Sequence, residues 1–399
     1  MFILFDLVFL LYALVYLPYL LLTKRWHPDF SQRFGIFPKK IQAQLGAASN
    51  IWVHAVSVGE VMAVEGFIRR LKERWPSHTV VCSVTTKTGY ELAQKRFGQI
   101  ACVIAAPLDF SFIARRFVRL IRPKLYIAAE TEIWPNLFGR LHQEAVPIAI
   151  INGRISDRSF GRYQCIKALM KPVLAKVSVF AMQSDVDATR IKELGANPEK
   201  VFMVGNIKFD DISRDGPPTK PFGGGNGELW VAGSTHPGEE QIILDVFKQL
   251  PQDWRLVIAP RHVERAQEVM RLVVQAGLQE RVSVIDTVGR LRDLYAQASL
   301  VFVGKSLCVG GGQNVIEPAA FAKAVIVGPM MENFRDIVAC FKTDNALVQV
   351  NNTAEFEAVV KALAGDEQKR KALGLRARVV IDKNQGAGER TLKRIEPWL

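Results

Sequence analysis

Three charged side chains in the first half of the sequence follow apolar runs, at points where chemistry could occur. The run IWVHAV leads through Ser57 to Glu60, at the start of a stretch with helical spacing. The run KLYIAA ends abruptly in Glu130, and Lys208 lies in GNIKFD, where the two halves of the chain are expected to meet. A helix N-terminus stabilises a carboxylate, so the pattern predicts an ionised Glu60 able to act as a general base. We expect Lys208 to bind a substrate anion.

Each of these side chains also has a purely structural interpretation. Glu60 and Glu132 could be helix caps, Glu130 could pair with a buried arginine, and Lys208 could be a solvated linker residue. The sequence leaves both interpretations open for each residue taken singly.

A glycine turn follows the first apolar run of the second half. The residues GST at 233 to 235 precede Pro237, which is favoured in the first turn of a helix. Backbone N–H groups of the new helix are then expected to face an anion such as phosphate. The alternative is an ordinary turn between a strand and a helix.

A longer glycine-rich stretch, GKSLCVGGGQNVIE, spans residues 304 to 317. It predicts a close backbone approach to a nucleotide, followed by a helix whose first turn would hold Asn314 and Glu317, with Glu317 accepting from ribose hydroxyls. Arg261 follows the run RLVIAP and offers a planar fork suited to phosphate, with a surface ion pair as the alternative. Further candidates at these turns are Ser57, Gly233, Ser234, Thr235, Gly311 and Gly312.

These residues require a framework of strands to position them. Runs rich in Val and Ile recur without alternation, which is typical of strands buried on both faces by crossover helices. The runs are IWVHAV, TVVCSV, ACVIAA, KLYIAA, PIAII, SVFAM and VFMVG in the first half, then ELWVAG, RLVIAP, VSVI, LVFVG and AVIVG. The pattern predicts an α/β fold of two Rossmann-like domains facing each other across a cleft, with ligands outside the carboxyl ends of the strands.

The domain boundaries follow from composition. Residues 211–227 are crowded with proline and glycine and are interpreted as a linker. The first domain is then 23–210, and the second is 228–399. The last helix of the second domain is allowed to pack back on the first.

The first 22 residues are almost wholly apolar and predict a membrane anchor helix. Lys24 and Arg25 follow directly, so the positive-inside rule predicts a single N-terminal anchor with the domains on the cytoplasmic face. Asp6 and Pro18 weaken a clean span, and the alternatives are a tilted or interfacial helix and a buried structural helix. Basic residues expected near acidic headgroups are Lys24, Arg25, Arg33, Lys39 and Lys40.

Composition limits the class of partner. The 52 Lys and Arg exceed the 39 Asp and Glu and give a net charge of +13, so the partner is expected to be nucleic acid, an acidic membrane surface or a multiply charged substrate. Five scattered cysteines without a CxxC pair predict reduced thiols and no disulfide. The DVD sequence at 185 to 187 is interpreted as a helix cap, and no metal is expected to be required.

The motifs together point to a family. HAVSVGE, AETEIWPN, GNIKFD, APRH, GGGQNVIEPAA and GPMMENF occur in this order over nearly the whole chain. With the GST turn, they closely resemble the motifs of the 3-deoxy-D-manno-octulosonic acid (Kdo) transferases of lipopolysaccharide synthesis. The resemblance implies a GT-B fold and metal-independent transfer of Kdo from CMP-Kdo to a lipid A precursor of the lipid IVA type.

The resemblance also implies roles for individual residues. It assigns Glu60 as the general base, and Glu130 and Lys208 as stabilisers of the transition state. The CMP contacts that it implies are Pro260, Arg261, Val288, Gly289, Arg290, Asn314, Val315, Ile316 and Glu317. Two positions depart from the family pattern: Gln32 stands where an acid is frequent, and Gln313 stands where His is common.

With these residues we expect a direct displacement that inverts the anomeric configuration of the sugar. Two other functions are considered. Another GT-B enzyme that uses a UDP-sugar for a different glycolipid would share the glycine turns and the basic membrane face. A non-catalytic nucleic-acid or membrane adaptor would use the net charge, but it predicts a continuous basic stripe or stacking aromatic residues, and the sequence has neither.

Overall fold

The computed structural model describes residues 2–3, 5–7, 9–11, 14, 30–46, 49–210, 227–287 and 289–399. The chain divides into two compact units. The first consists of Met1–Asp211 together with Asn384–Leu399, and the second is Ile212–Lys383. The chain therefore leaves the first unit, forms the second and returns to the first. Of the expected linker, all but Gly227 lies outside the described residues.

The first unit contains a seven-stranded parallel sheet with the order β3-β2-β1-β4-β5-β6-β7. The strands are β1 Asn50–Ala55, β2 Thr79–Val84, β3 Cys102–Ala105, β4 Pro123–Ala129, β5 Ile148–Gly153, β6 Val179–Met182 and β7 Val201–Met203. The strand order reverses between β1 and β4: the connection after β1 leads to β2 on one side, and the connection after β4 leads to β5 on the other. This switch point is where open α/β sheets bind ligands.

Helices cover both faces of this sheet. In chain order they are α1 Lys39–Gly46, α2 Val58–Arg74, α3 Lys87–Phe97, α4 Ser111–Ile121, α5 Pro135–Gln143, α6 Asp157–Cys165, α7 Lys167–Leu174 and α8 Asp185–Glu193. Successive strand residues enter different cores, because side chains alternate between the two faces of a strand. Trp52 packs in one cluster with Tyr126, and Val53 packs in the other with Ile127. All six residues of β1 are buried, as its continuous apolar run predicts.

The second unit repeats this architecture with a six-stranded parallel sheet of order β10-β9-β8-β11-β12-β13. Its strands are β8 Leu229–Thr235, β9 Arg255–Pro260, β10 Val282–Val284, β11 Leu300–Val303, β12 Ala324–Val327 and β13 Val348–Gln349. Its helices are α9 Glu239–Phe247, α10 Ala266–Gln275, α11 Leu291–Gln297, α12 Ile316–Ala320, α13 Arg335–Thr343, α14 Thr353–Ala364 and α15 Glu367–Asn384. The switch point lies between β8 and β11.

All the apolar runs interpreted as strands are strands, so that prediction is confirmed. The sequence analysis missed β13, which has only two residues, both half-buried, and therefore leaves no apolar run to detect.

The N-terminal segment is described only in part. Its described residues between positions 2 and 14 are helical. Within the part of the chain that the structure describes, no helix has both the length and the apolar character to cross a bilayer. The anchor expected at 1–22 stays a prediction, and Lys24 and Arg25 lie outside the described residues. The placement of Arg33 near headgroups is wrong, because Arg33 is buried and its Nε donates to the Ala106 carbonyl (3.2 Å).

A single carboxylate fixes the return of the chain to the first unit. The last helix, α16 (Ala387–Ile395), begins at backbone N–H groups that Asp210 accepts. The distances are 2.7 Å from Gly386, 3.2 Å from Ala387 and 2.5 Å from Gly388. Arg70 of α2 pairs with the same carboxylate at 2.8 Å. The side chain of Asp210 is only 3% exposed, so it is a buried ion pair as well as a helix cap.

We expect Asp210→Ala to lower the free energy of unfolding by about 3 kcal/mol, because it removes the carboxylate that accepts the N–H groups at the start of α16 and pairs with Arg70. Equilibrium unfolding in urea measures this. Asn197→Ala is the matched control, because Asn197 caps an exposed turn of the same unit by accepting from Glu199 (3.0 Å), and it should cost about 1 kcal/mol. Equal losses in the two variants would contradict the role given to Asp210.

Candidate active site

Glu60 lies in the first turn of α2, directly after β1 and beside the switch point of the first unit. Its Oε2 accepts from the Val56 backbone N–H (2.6 Å), and its Oε1 accepts from the Ser57 hydroxyl (3.1 Å). The residue is only 6% exposed. Its carboxyl group thus also closes the helix N-terminus, which is the structural role that the sequence left open.

The protonation state of Glu60 differs from the expectation. Burial, followed by the negative charge of Glu130, raises the pKa of Glu60 to about 8, and the hydrogen bond from Val56 opposes the rise. The expectation that the helix N-terminus keeps this group ionised is therefore wrong for the free protein at neutral pH. Burial and then Glu130 likewise raise the pKa of Glu132 to about 7. The site concentrates carboxyl groups that bind protons unusually tightly.

Glu130 and Lys208 form an ion pair in the same unit. Glu130 is the first residue after β4, the strand beside β1, and its Oε1 lies 3.3 Å from Lys208 Nζ. The side chains of Glu130 and Lys208 are 26% and 19% exposed, so Lys208 is not a solvated linker residue. The cation that pairs with Glu130 is this lysine and not an arginine. The switch point thus combines Glu60 with a cation held by a carboxylate.

Amide side chains at the ends of neighbouring strands hold the turn that carries Lys208. The Lys208 backbone N–H donates to Asn206 Oδ1 (3.0 Å), and Asn206 Nδ2 donates to Gln183 Oε1 (3.0 Å). Asn152 in β5 accepts from the Ile207 N–H (3.1 Å). The ammonium group is therefore placed by the ends of the sheet and not by a free loop.

His54 lies in the same motif as Glu60, but it does not titrate near neutrality. Burial, followed by the charge of Arg33, lowers the pKa of His54 to about 3. Its Nδ1 lies 2.9 Å from Ser83 Oγ, and Ser83 also accepts from Trp52 Nε1 (2.8 Å). The ring packs edge-on against Trp134, with 5.5 Å between centroids. His54 is a neutral packing residue beneath the strand end.

Gln32 is a buried packing residue. Its Oε1 accepts from the Ala105 N–H at the end of β3 (3.1 Å). An amide satisfies this N–H without adding a negative charge beside Arg33. The departure from the family pattern at position 32 therefore falls on a structural contact of the first unit.

In the second unit, the residues implied to bind CMP follow the carboxyl ends of adjacent strands. Pro260 ends β9, with Arg261 exposed directly after it, and Gly289 and Arg290 follow β10. Asn314 to Glu317 follow β11. The structure therefore brings them to one edge of one sheet. Val288 lies outside the described residues.

The side chains of some of these residues are less accessible to a ligand than the sequence indicated. Val315 and Ile316 are 1% and 3% exposed, which leaves their backbone as the part able to contact a ligand. Thr235 is fully buried, and its hydroxyl donates to Glu240 (3.0 Å). Asn314 Oδ1 accepts from the Ile316 N–H (3.0 Å), so Asn314 precedes the helix and does not lie in its first turn.

Glu317 remains a partly accessible acceptor at this edge. Burial raises its pKa, and a hydrogen bond from Asn314 Nδ2 (3.2 Å) opposes the rise. Packing alone explains the glycine at position 233, because a Cβ there would lie 2.1 Å from the Tyr295 hydroxyl oxygen.

The helix after the GST turn begins later than predicted, and a carboxylate occupies the N–H groups around its start. Gly238 precedes the first helical residue, Glu239, so Pro237 is outside the helix. Glu239 is fully buried. It accepts four backbone N–H groups, from His236, Lys305, Ser306 and Leu307, each at 2.9 Å. Glu239 thus takes the His236 N–H, and phosphate binding at the remaining N–H groups of this turn stays a prediction.

The sequence analysis missed Glu239, because an acid at a helix start is ordinary and its partners lie more than sixty residues further along the chain. A similar clamp holds the glycine loop. Gly311 donates to Glu332 Oε2 (2.7 Å), and the Gly311 carbonyl accepts from the Asn333 N–H (3.0 Å). These carboxylates fix the backbone around the second switch point.

The DVD sequence does cap a helix, which confirms that interpretation. Ser184 accepts from the Asp187 N–H (3.2 Å), and Asp187 accepts from the Ile155 N–H (2.7 Å). Across the described residues, no group of three or more His, Cys, Asp and Glu side chains is arranged to hold a metal ion.

Solved structures share the fold of this chain. MurG from Acinetobacter baumannii matches 88% of this chain and 99% of its own, with a TM-score of 0.59 at 12% identity. A putative UDP-N-acetylglucosamine 2-epimerase from Listeria monocytogenes matches 88% of this chain and 96% of its own, with a TM-score of 0.56 at 11% identity. The fold is that of two α/β parallel-sheet domains resembling GT-B glycosyltransferases.

Sequence comparison then identifies the family. Residues 28–211 match the family described as 3-deoxy-D-manno-octulosonic-acid transferase (kdotransferase), and residues 240–380 match glycosyl transferases group 1. The 3-deoxy-D-manno-octulosonic acid transferase of Haemophilus influenzae is 33% identical over 94% of this chain and 93% of its own. That of Chlamydophila psittaci is 29% identical over 82% and 81%. The chain belongs to the Kdo transferase family and is a glycosyltransferase.

We expect Glu60→Gln to stabilise the protein increasingly as pH rises. The pKa of Glu60 rises from an ordinary 4.5 to about 8 on folding, so between these values the unfolded chain releases a proton that the folded chain keeps. Wild-type stability is therefore lost across this window, and the variant avoids that loss. Thermal unfolding from pH 5 to pH 8.5 measures the gap.

The control for this experiment is Glu65→Gln on the same helix, where Glu65 pairs at the surface with Arg69 (3.1 Å) and Arg96 (2.7 Å). Its effect should not grow over this pH window. A constant difference between wild type and Glu60→Gln would show that the raised pKa is absent.

Proposed function

We propose that this protein transfers Kdo from CMP-Kdo to a lipid A precursor of the lipid IVA type, with inversion at the anomeric carbon and without a metal ion. Family membership supports the sugar transferred. The observation that carries the mechanism is the placement of Glu60 and the Glu130–Lys208 pair after β1, β4 and β7 of one sheet, around its switch point.

Glu60 is the general base in this proposal. Its carboxylate removes the proton from an acceptor hydroxyl as the oxygen of that hydroxyl attacks the anomeric carbon. The new C–O bond forms while the bond to the donor phosphate breaks, and CMP leaves with the electron pair. Attack and departure on opposite faces invert the configuration. A pKa of about 8 makes Glu60 a stronger base than an ordinary carboxylate, at the cost of a smaller ionised fraction at neutral pH.

Lys208 stabilises the negative charge that develops on the reacting groups. A cation about 4 Å from an anion contributes on the order of 4 kcal/mol at an effective dielectric constant of about 20. Glu130 orients this cation through the 3.3 Å contact, which gives an acid a useful role beside an anionic sugar. Glu130 also raises the pKa of Glu60, so one carboxylate serves both the cation and the base.

The second unit binds the donor nucleotide in this proposal. Arg261 and Arg290 supply positive charge at the carboxyl edge of the sheet, and Glu317 is the acceptor for ribose hydroxyls. Leaving-group charge is met by basic side chains and not by a metal ion.

Mass spectrometry of the product made from CMP-Kdo and a tetraacyl lipid A precursor tests the proposal. We expect a product heavier by Kdo with the wild type, and turnover lower by about 10²- to 10⁴-fold with Glu60→Gln. Lys208→Met should lower turnover by about 10³-fold. Glu65→Gln is the control on α2 and should remain active. Turnover of Glu60→Gln within a few-fold of wild type, with normal donor binding, would rule out the base.

The pH dependence of kcat/KM is a separate test of the base. Because Glu60 must be ionised, kcat/KM should rise about tenfold per pH unit below a pKa of about 8 and level off above it. A profile that is flat from pH 6 to pH 8.5 would contradict a base with this pKa.

We also propose that the N-terminal segment contacts the cytoplasmic face of the inner membrane, where the lipid acceptor is held. Its helical residues Ile3, Leu7, Leu10, Leu11 and Leu14 are 45% to 84% exposed and recur at a spacing that places them on one helix face. Asp6 instead accepts from the Ser111 N–H (2.7 Å) at the start of α4. The apolar face is therefore available to lipid, and the exposed Lys39 and Lys40 are available to acidic headgroups.

We expect the double substitution Leu7→Glu and Leu11→Glu to reduce cosedimentation with vesicles that contain phosphatidylglycerol by about tenfold or more, because each charge must be dehydrated to enter the interface. CMP binding should be unchanged. Leu375→Glu is the control, since Leu375 is equally exposed (63%) in the second unit. Unchanged cosedimentation of the double variant would contradict the membrane role of this segment.

A further inference from the structure

Residues with a left-handed backbone mark the carboxyl ends of the central strands in both units. In the first unit these are Glu130 (φ 56°) after β4 and Asn152 (φ 53°) in β5. In the second unit they are Ser234 (φ 57°) in β8 and Lys305 (φ 58°) after β11. Glycine adopts this conformation without steric cost, whereas each of these four residues places a polar or charged side chain at the strand end at some cost in backbone strain.

Three of these four side chains already have a place in the site. Glu130 holds Lys208, Asn152 fixes the turn that carries Lys208, and Ser234 lies in the GST turn. Lys305 has none. It is the second residue after β11, at the switch point of the second unit, as Glu130 is the first residue after β4 at the switch point of the first.

The backbone of Lys305 is held on both sides. Its N–H donates to the buried Glu239 carboxylate (2.9 Å), and its carbonyl accepts from the Gly312 N–H (2.7 Å). Glu239 also binds the next two N–H groups, so the left-handed conformation is imposed by the surroundings. The direction in which the side chain leaves the backbone is therefore fixed.

The ammonium group of Lys305 lies beside the glycine loop. A Cβ built on Gly311 would be 3.5 Å from Lys305 Nζ and 3.3 Å from its Cε. Lys305 is half-buried, and no hydrogen bond or ion pair of its ammonium group occurs among the described residues. The structure thus holds a cation without a protein partner among the described residues, beside the left-handed glycine backbone of Gly311.

We propose that Lys305 binds the phosphate group of the donor nucleotide. This inference rests on the proposed function, because it takes the second unit as the donor-binding unit. The N–H groups expected to receive phosphate near the GST turn are partly taken by Glu239, so a charged side chain at the same switch point is needed. An ammonium group on a fixed backbone supplies it.

Binding of CMP and of cytidine to the full-length protein, measured by calorimetry, tests the proposal. We expect Lys305→Met to weaken CMP binding about tenfold, the usual effect of losing one charge-assisted hydrogen bond, and to leave cytidine binding unchanged. Lys305→Arg should retain most of the affinity for CMP. Equal affinity of wild type and Lys305→Met for CMP, or equal losses for CMP and cytidine, would overturn the proposal.

Two controls distinguish the effect of the Lys305 charge on CMP binding from the effect of relieving backbone strain. Ala322 has the same left-handed conformation (φ 54°), so Ala322→Gly and Lys305→Gly relieve the same strain. Both should unfold at or above the wild-type temperature, and only Lys305→Gly should weaken CMP binding. Lys342→Met removes a surface charge from the same unit and should not affect CMP binding. Weaker CMP binding in either control would overturn the specific role of Lys305.

The design also separates this inference from the proposed function. UMP and UDP are measured with uridine in parallel. If the wild type binds a uridine nucleotide and not CMP, the proposed donor is wrong, and the effect of Lys305→Met on that nucleotide against uridine decides the inference. If the wild type binds none of these nucleotides, both proposals are wrong.

Discussion

The structure depends on buried carboxylates that accept backbone N–H groups where parallel strands end. Beyond the last hydrogen bond between a strand and its neighbour, the backbone N–H groups no longer have a partner in the sheet. If these groups are buried, they need another acceptor. Glu60 accepts one such group after β1, and Glu239 accepts four around the start of α9. Asp109 accepts two at the start of α5, and Asp210 accepts three at the start of α16. The carboxylates of Glu60, Asp109 and Glu239 fix the turns that carry side chains of the two switch points, and Asp210 fixes the start of the helix that returns to the first unit.

The same arrangement explains why Glu60 is both structural and suited to catalysis. Its hydrogen bond from Val56 fixes the oxygen atoms, while burial and the Glu130 charge raise its pKa. Glu130 in turn is stabilised by Lys208. The three groups are therefore coupled electrostatically, and a change at one alters the others. An arrangement of this kind is typical of sites that move protons.

Sequence predicted the framework more fully than the electrostatics. Buried parallel strands leave continuous apolar runs, so every strand except the two-residue β13 could be located, and the charged residues at their ends with them. The pKa of Glu60 could not be predicted, because it depends first on burial and then on the charge of Glu130, both of which arise only on folding. Glu239 could not be recognised for a similar reason: its acceptor role needs the distant residues 305 to 307. Local pattern gives positions along the chain, whereas the charge environment of a site is a property of the assembled sheet.

The return of the chain to the first unit has a consequence for biosynthesis. Ala387, Leu392 and Ile395 are buried in the core on one face of the first sheet, although they are translated after the whole of the second unit. On the ribosome, the first unit therefore stays incomplete while the whole of the second is made. The second unit, whose residues are contiguous, has no such delay. A nascent chain that stops short of α16 would therefore carry a complete second unit and a first unit whose apolar core is still open to solvent.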